Sequence, residues 1–132
     1  MLHLRPMGEE YLRKIADRLP GSPGLRGRHQ YFNSAVLVPV IEIDGDYHLL
    51  FQVRATNIRQ GDEVCFPGGR HEPETDRDYR DTALRETEEE LGLHRERIEV
   101  LGRLDTLVVP MGAAVEPFVG YIRGTRPESL TP

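Results

Sequence analysis

Residues 84–93 read LRETEEELGL, and four of the five positions from 86 to 90 are glutamate. Nearly every residue of the stretch is a helix former, and Gly92 stands where a helix would end. The pattern predicts a helix over about residues 81–91. At the helical repeat, one face is apolar and the opposite face carries three carboxylates. These are Glu86, Glu89 and Glu90.

The acidic face is unfavourable for the helix that carries it. Carboxylates three or four residues apart repel by a few tenths of a kcal/mol per pair. Their place near the negative end of the helix dipole costs roughly another 0.3 to 1 kcal/mol per charge. A solvated acidic face is the plain alternative, but several unfavourable choices in one place are typical of a functional site. A hard divalent cation such as Mg²⁺ would offset the repulsion, because it prefers oxygen ligands.

A tight turn precedes the helix. Residues 66–69 read FPGG, and the last of these glycines lies sixteen residues before Arg85. Glycine has no side chain, so its backbone permits a phosphate or a metal ion to approach closely. The turn and the acidic helix together are far more specific than either one alone.

The composition limits the class of protein. A chain of 132 residues is long enough for one domain, and 38% hydrophobic with 30% charged residues is typical of a globular protein. The net charge of -5 argues against a general nucleic-acid or membrane binder. The single cysteine, Cys65, excludes an internal disulfide framework and favours a reducing compartment. The first ten residues lack the apolar run of a signal peptide, so we expect a cytoplasmic location.

The order of segments predicts a mixed α/β domain. Residues 8–19 have apolar side chains at helical spacing, and the glycine- and proline-rich residues 20–30 indicate a linker. The core is expected from about residue 34, where an apolar strand leads through Asp44-Gly45 into a hairpin. Further strands are expected within 98–109 and 113–122.

The last ten residues, RGTRPESLTP, indicate a loop. A compact α/β domain usually closes with an element that packs on its sheet. We therefore expect that a C-terminal element is missing from residues 1–132.

The turn and the helix together resemble the signature of the Nudix hydrolase family. That signature is a Gly, five residues, a Glu, seven residues, and then Arg-Glu-hydrophobic-x-Glu-Glu-x-Gly-hydrophobic. Gly69 matches its first position, Thr87 takes a hydrophobic position, and the second half is matched by Arg85, Glu86, Glu89, Glu90, Gly92 and Leu93. The spacing from Gly69 to Arg85 is two residues longer than in the signature. The early glutamate therefore has four candidates, which are Glu72, Glu74, Asp76 and Asp78.

An upstream segment is similar to the coenzyme A diphosphatase branch of this family. Residues 49–69 read LLFQVRATNIRQGDEVCFPGG, against the branch pattern LLTxRSxxLRxHxGEVxFPGG. The register needs a one-residue deletion between Arg59 and Glu63. The resemblance covers roughly residues 34–122. It implies a single domain with an α/β/α sandwich around a mixed β-sheet.

The resemblance also implies an activity and a site. The reaction is hydrolysis of a nucleoside diphosphate linked to another moiety. The first candidate is coenzyme A, split into adenosine 3′,5′-bisphosphate and 4′-phosphopantetheine. The ligands of an essential Mg²⁺ or Mn²⁺ are Glu86, Glu89, Glu90 and the Gly69 carbonyl. The catalytic set is Glu89 as ligand or base, Arg85 as the residue that orients the carboxylates, and Glu86. The candidate substrate contacts are Arg54, Arg59, Glu63 and Gly68.

Two alternatives stay open at this point. One is a Nudix hydrolase of ADP-ribose or nucleoside triphosphates, and the other is a non-catalytic Nudix-like module that binds a nucleotide. In each case the expected partner is a small nucleotide diphosphate, with no nucleic acid and no membrane. The oligomeric state is open, a homodimer included.

Overall fold

The computed structural model describes residues 8–21, 24–54, 63–124, 126–127 and 130. In chain order, the helices and strands of these residues are α1 (Glu9–Arg18), β1 (Phe32–Ile43), β2 (Asp46–Leu49), β3 (Gln52–Arg54), β4 (Glu63–Cys65), β5 (Gly68–Arg70), α2 (Tyr79–Leu91), β6 (Ile98–Arg103), β7 (Leu107–Val109) and β8 (Ala113–Ile122). Short 3₁₀ turns precede β1 and β6.

A mixed sheet forms the centre of the molecule. β1 and β8 run parallel, and β6 and β7 pair with β8 in antiparallel fashion. β2 and β5 pair with different parts of the other side of β1. β3 and β4 form a separate two-stranded antiparallel sheet. The predicted α/β architecture with a mixed sheet is confirmed.

Along the long strand β1, the burial of side chains follows the alternation of apolar residues in the sequence. Ala35, Leu37 and Ile41 are buried on one face, as the two-residue repeat of a strand requires. At its end, Asp44 (φ 50°) and Gly45 (φ 85°) form the predicted hairpin turn into β2. Positive φ at both central residues is what a tight two-residue hairpin needs, and glycine adopts it without strain.

Helix α2 covers this buried face of the sheet. Asp78 caps it, because its side chain accepts a hydrogen bond from the Asp81 backbone N–H, and Gly92 ends it in the left-handed conformation. Leu84 and Leu91 join the core that the sheet contributes. Thr87 is fully buried at the hydrophobic position of the signature, and its hydroxyl donates to the Ala83 carbonyl at 2.7 Å. That bond satisfies the one polar group which the threonine brings into the core.

Helix α1 is amphipathic but exposed. No residue of it is buried, and Leu12 and Ile15 are 64% and 56% exposed. In the described part of the chain, no helix is long and apolar enough to cross a membrane.

Candidate functional site

Two consecutive glycines let three parts of the chain meet. A Cβ atom on Gly68 would lie 2.4 Å from the carbonyl oxygen of Ala35, and one on Gly69 would lie 2.5 Å from the carboxyl carbon of Glu86. The first glycine therefore allows β5 to pair closely with β1. The second allows the carboxylate of α2 to rest directly on the β5 backbone.

Glu86 holds its charge in an unfavourable place. Burial raises the pKa of its carboxyl above the usual value, and the nearby charges of Glu89 and Glu90 raise it further. The Arg85 guanidinium acts in the opposite direction and donates to Glu86 Oε1 at 2.9 Å. A bound cation would offset both the cost of burying this charge and its repulsion by Glu89 and Glu90, so the Glu86 side chain is suited to be a metal ligand.

Arg85 is fixed by a buried carboxylate. Its Nε and Nη2 atoms donate to the two oxygens of Asp76 at 2.7 and 3.0 Å. Nη2 also donates to the Arg70 carbonyl, and Nη1 lies 3.5 Å from Glu89 Oε1. The guanidinium thus spans from the loop to two carboxylates of α2. The role of Arg85 in orienting these carboxylates stays a prediction, and these contacts support it.

Asp76 is the candidate for the early acidic position that contacts Arg85. Its side chain is 1% exposed and also accepts from the Glu72 backbone N–H and the Thr82 hydroxyl, each at 2.9 Å. The Arg85 hydrogen bonds hold the pKa of Asp76 far below its usual range, against the effect of burial. Glu72 and Glu74 are exposed, and Asp78 caps α2. The longer loop turns back at Glu72, whose backbone carbonyl accepts a hydrogen bond from the Asp76 backbone N–H. This turn brings the Asp76 carboxylate to Arg85 in spite of the greater length of the loop.

At the other end of the acidic face, three donors from the described part of the chain reach Glu90. The Gly68 backbone N–H and the Gln52 amide donate to its Oε2 at 3.1 and 2.8 Å, and Arg54 lies 3.4 Å from its Oε1. The predicted Gly68 and Arg54 are therefore both beside the acidic helix. Sequence reasoning missed Gln52, because its place depends on how β3 packs against α2.

An open cleft of about 330 Å³ lies beside these groups. The residues that line it are Gln52, Val53, Arg54, Glu89 and Glu90. Glu89 is 60% exposed, and Glu63 is exposed on β4 opposite Arg54. The remaining predicted contact, Arg59, lies outside the described residues.

The metal ligands stay a prediction. Within the ranges that the structure describes, no three His, Cys, Asp or Glu side chains converge closely enough to hold a metal ion. Glu86 is paired with Arg85, while Glu90 is held from β3 and β5. The donor set is nevertheless made of carboxylate oxygens around an open glycine backbone, and this chemistry suits Mg²⁺ or Mn²⁺.

A family profile described as the NUDIX domain matches residues 32–124, and these include the glycine turn, the Asp76–Arg85 pair and the acidic helix. The chain belongs to the Nudix family. The resemblance to the Nudix hydrolase family is thereby confirmed.

The most informative relatives of this Nudix domain are two mammalian proteins. The chain is 43% identical over 101 residues to the mouse peroxisomal coenzyme A diphosphatase NUDT7, and the aligned region covers 75% of this chain and 42% of that protein. It is 38% identical over 117 residues to the human mitochondrial coenzyme A diphosphatase NUDT8, with 87% and 49% covered. The chain thus spans less than half the length of these relatives.

Solved structures support the fold alone. A C. elegans Ap4A hydrolase superposes with a TM-score of 0.59 at 21% identity, over 76% of this chain and 74% of that one. The NUDIX domain of Shewanella oneidensis NrtR, complexed with ADP ribose, gives 0.55 at 18% identity, over 91% and 73%.

Proposed function

We propose that this Nudix domain hydrolyses a nucleoside diphosphate linked to another moiety with the help of Mg²⁺ or Mn²⁺. The observation that carries the proposal is the arrangement at the glycine turn. Glu86 rests on Gly69, Glu90 is bonded to the Gly68 amide, and Arg85 is held by Asp76 beside them. The three glutamates are present although their repulsion is unfavourable for the helix, and this argues against a module that only binds a nucleotide.

Glu86, Glu89, Glu90 and the Gly69 carbonyl would hold the cation. When bound, it would neutralise the charge that develops on the phosphoryl oxygens and lower the pKa of a water molecule. Glu89 is the exposed member of the three and faces the cleft, so it is our candidate for accepting the proton of the attacking water.

Arg54 binds the phosphate groups of the substrate in this proposal. Its side chain is 53% exposed at the wall of the cleft, where the guanidinium can form paired hydrogen bonds with phosphate oxygens. Arg59 and Glu63 keep the role of candidate substrate contacts. Both belong to the segment that is similar to the coenzyme A branch.

Coenzyme A and its derivatives are the proposed substrates. The two relatives named as coenzyme A diphosphatases support this choice, as does the segment from Leu49 to Gly69, part of which forms the wall of the cleft. ADP-ribose or a nucleoside triphosphate is the alternative, and the shifted register between Arg59 and Glu63 keeps it open. We propose a cytoplasmic location from the sequence alone.

A substrate panel tests the proposal. The protein is incubated with Mg²⁺ or Mn²⁺ and, in separate reactions, coenzyme A, ADP-ribose, NADH and nucleoside triphosphates, and the products are separated by chromatography. We expect adenosine 3′,5′-bisphosphate and 4′-phosphopantetheine from coenzyme A, and no product when EDTA is present. Product from ADP-ribose only would contradict the proposal that coenzyme A is the substrate. A folded protein that hydrolyses none of these diphosphates would favour the non-catalytic module.

A further inference from the structure

Gln52 makes a specific contact with the acidic helix. It is the first residue of β3, and its side-chain Nε2 donates to Glu90 Oε2 at 2.8 Å. The same nitrogen lies 3.6 Å from the sulfur of Cys65, its partner across the two-stranded sheet. An amide nitrogen carries two N–H groups, so one can point to the carboxylate and the other to the thiol. The pairing of β3 with β4 thus fixes the direction of the amide.

Glu90 has two oxygens in different environments. Among the residues that the structure describes, Oε2 receives both Gln52 and the Gly68 backbone N–H, whereas Oε1 receives Arg54 at 3.4 Å. The Gly68 donor is rigid because β5 pairs with β1. Two fixed donors on one oxygen define the plane of the carboxylate and leave the other oxygen for a different partner.

We propose that Gln52 is a positioning residue for Glu90, which holds one carboxylate oxygen so that the other is presented to the cation and the cleft. The proposal rests on the proposed function, because it concerns a predicted metal ligand. Groups that hold a metal ligand in place without touching the metal typically change metal affinity 10- to 100-fold when they are removed.

The charges of the two neighbouring donors give them different roles. Gln52 is neutral and bonds the oxygen away from Arg54, so its bond remains favourable when a cation is bound. Arg54 is positive, half-exposed and only loosely placed at Oε1, so a cation on that oxygen would repel it. Gln52 therefore orients Glu90, while Arg54 remains available for the phosphate groups of the substrate.

The test is Mn²⁺ binding by calorimetry to the wild-type chain and to Gln52→Met, which keeps the length of the side chain and removes its N–H groups. The matched control is Gln30→Met, the same change at an exposed glutamine of the 3₁₀ turn before β1. We expect the Kd for Mn²⁺ to be about 10-fold higher in Gln52→Met and unchanged in Gln30→Met. The melting temperatures in EDTA should be equal, and hydrolysis by Gln52→Met should recover at saturating Mn²⁺ with an unchanged KM for the substrate.

Equal Mn²⁺ affinities of the wild-type chain and Gln52→Met would overturn the positioning role. A similar loss in Gln30→Met would overturn it as well, because the effect would then not be local. A wild-type chain that binds no Mn²⁺ would contradict the proposed function itself. The two proposals therefore fail in different ways.

Discussion

Two adjacent glycines at the turn have different tasks at the scale of single residues. A methyl group on Gly68 would meet backbone atoms of β1, which cannot move away without disturbing the sheet. A methyl group on Gly69 would meet the carboxylate of Glu86, the end of a flexible side chain. The first position therefore concerns the stability of the sheet, and the second concerns the placement of a predicted metal ligand.

We expect Gly69→Ala to reduce metal-dependent hydrolysis by about 10- to 100-fold, because Glu86 must shift from the β5 backbone. Its free energy of unfolding should fall by less than about 1 kcal/mol, since a side-chain carboxylate can move. Gly68→Ala should instead lose about 1 to 3 kcal/mol of stability. The measurements are initial rates at fixed Mn²⁺ and urea unfolding in EDTA.

Gly102→Ala is the control for both variants, because its added methyl group meets no atom within 4 Å. An active Gly69→Ala variant with the affinity of the wild type for Mn²⁺ would show that Glu86 does not need its present position.

At the scale of elements, the site depends on the link between the loop before α2 and the helix itself. Asp76 supplies this link, since it accepts from Arg85, from Thr82 of the helix and from the loop backbone. Loop and helix are thereby fixed in relation to each other. Arg85 can then hold the carboxylates of α2 in place.

Asp76→Asn should destabilise the protein by about 3 kcal/mol at pH 7, because Arg85 loses its buried charge partner. The pKa of Asp76 is lowered by folding, so its stabilising effect is present above the usual carboxyl pKa of about 3.9. It is lost progressively as the pH falls toward the lowered pKa. Urea unfolding at pH 7, 5 and 3 should show a smaller difference between wild type and variant at pH 3.

The control is Asp78→Asn, in which asparagine remains a good N-cap and stability should change by less than about 0.5 kcal/mol. A penalty for Asp76→Asn that stays the same from pH 7 to pH 3 would mean that the charge of Asp76 contributes nothing.

The elements differ in how far their sequence determines them. Helix α2 and its acidic face could be predicted, because the spacing and the C-terminal glycine are local signals. The choice of Asp76 among four acidic residues could not, since it depends on the path of the loop. Gln52 gave no signal for a similar reason. Its role comes from the register of β3 with β4 and from the packing of that pair against α2.

On the scale of the whole molecule, the mixed sheet assembles the site from distant parts of the chain. β1 holds β5 at its edge, and the two-stranded sheet of β3 and β4 places Gln52 and Arg54 beside the last turn of α2. In the helix alone, the carboxylates of the acidic face would only repel one another. Glu89 and Glu90 of this helix and residues 52–54 of β3 line one cleft, where we propose that the cation and the anionic substrate bind.

We propose that the carboxylates of α2 serve a cation rather than the fold. The most direct test is Glu90→Gln, with coenzyme A hydrolysis measured over a range of Mn²⁺ concentrations and the free energy of unfolding measured in EDTA. Glutamine keeps an oxygen that can accept from Gly68 and Gln52, so stability should be equal within about 0.5 kcal/mol, or higher. We predict that hydrolysis falls about 100-fold or more. Full activity, or a clear loss of stability in metal-free buffer, would contradict a metal-binding role of Glu90.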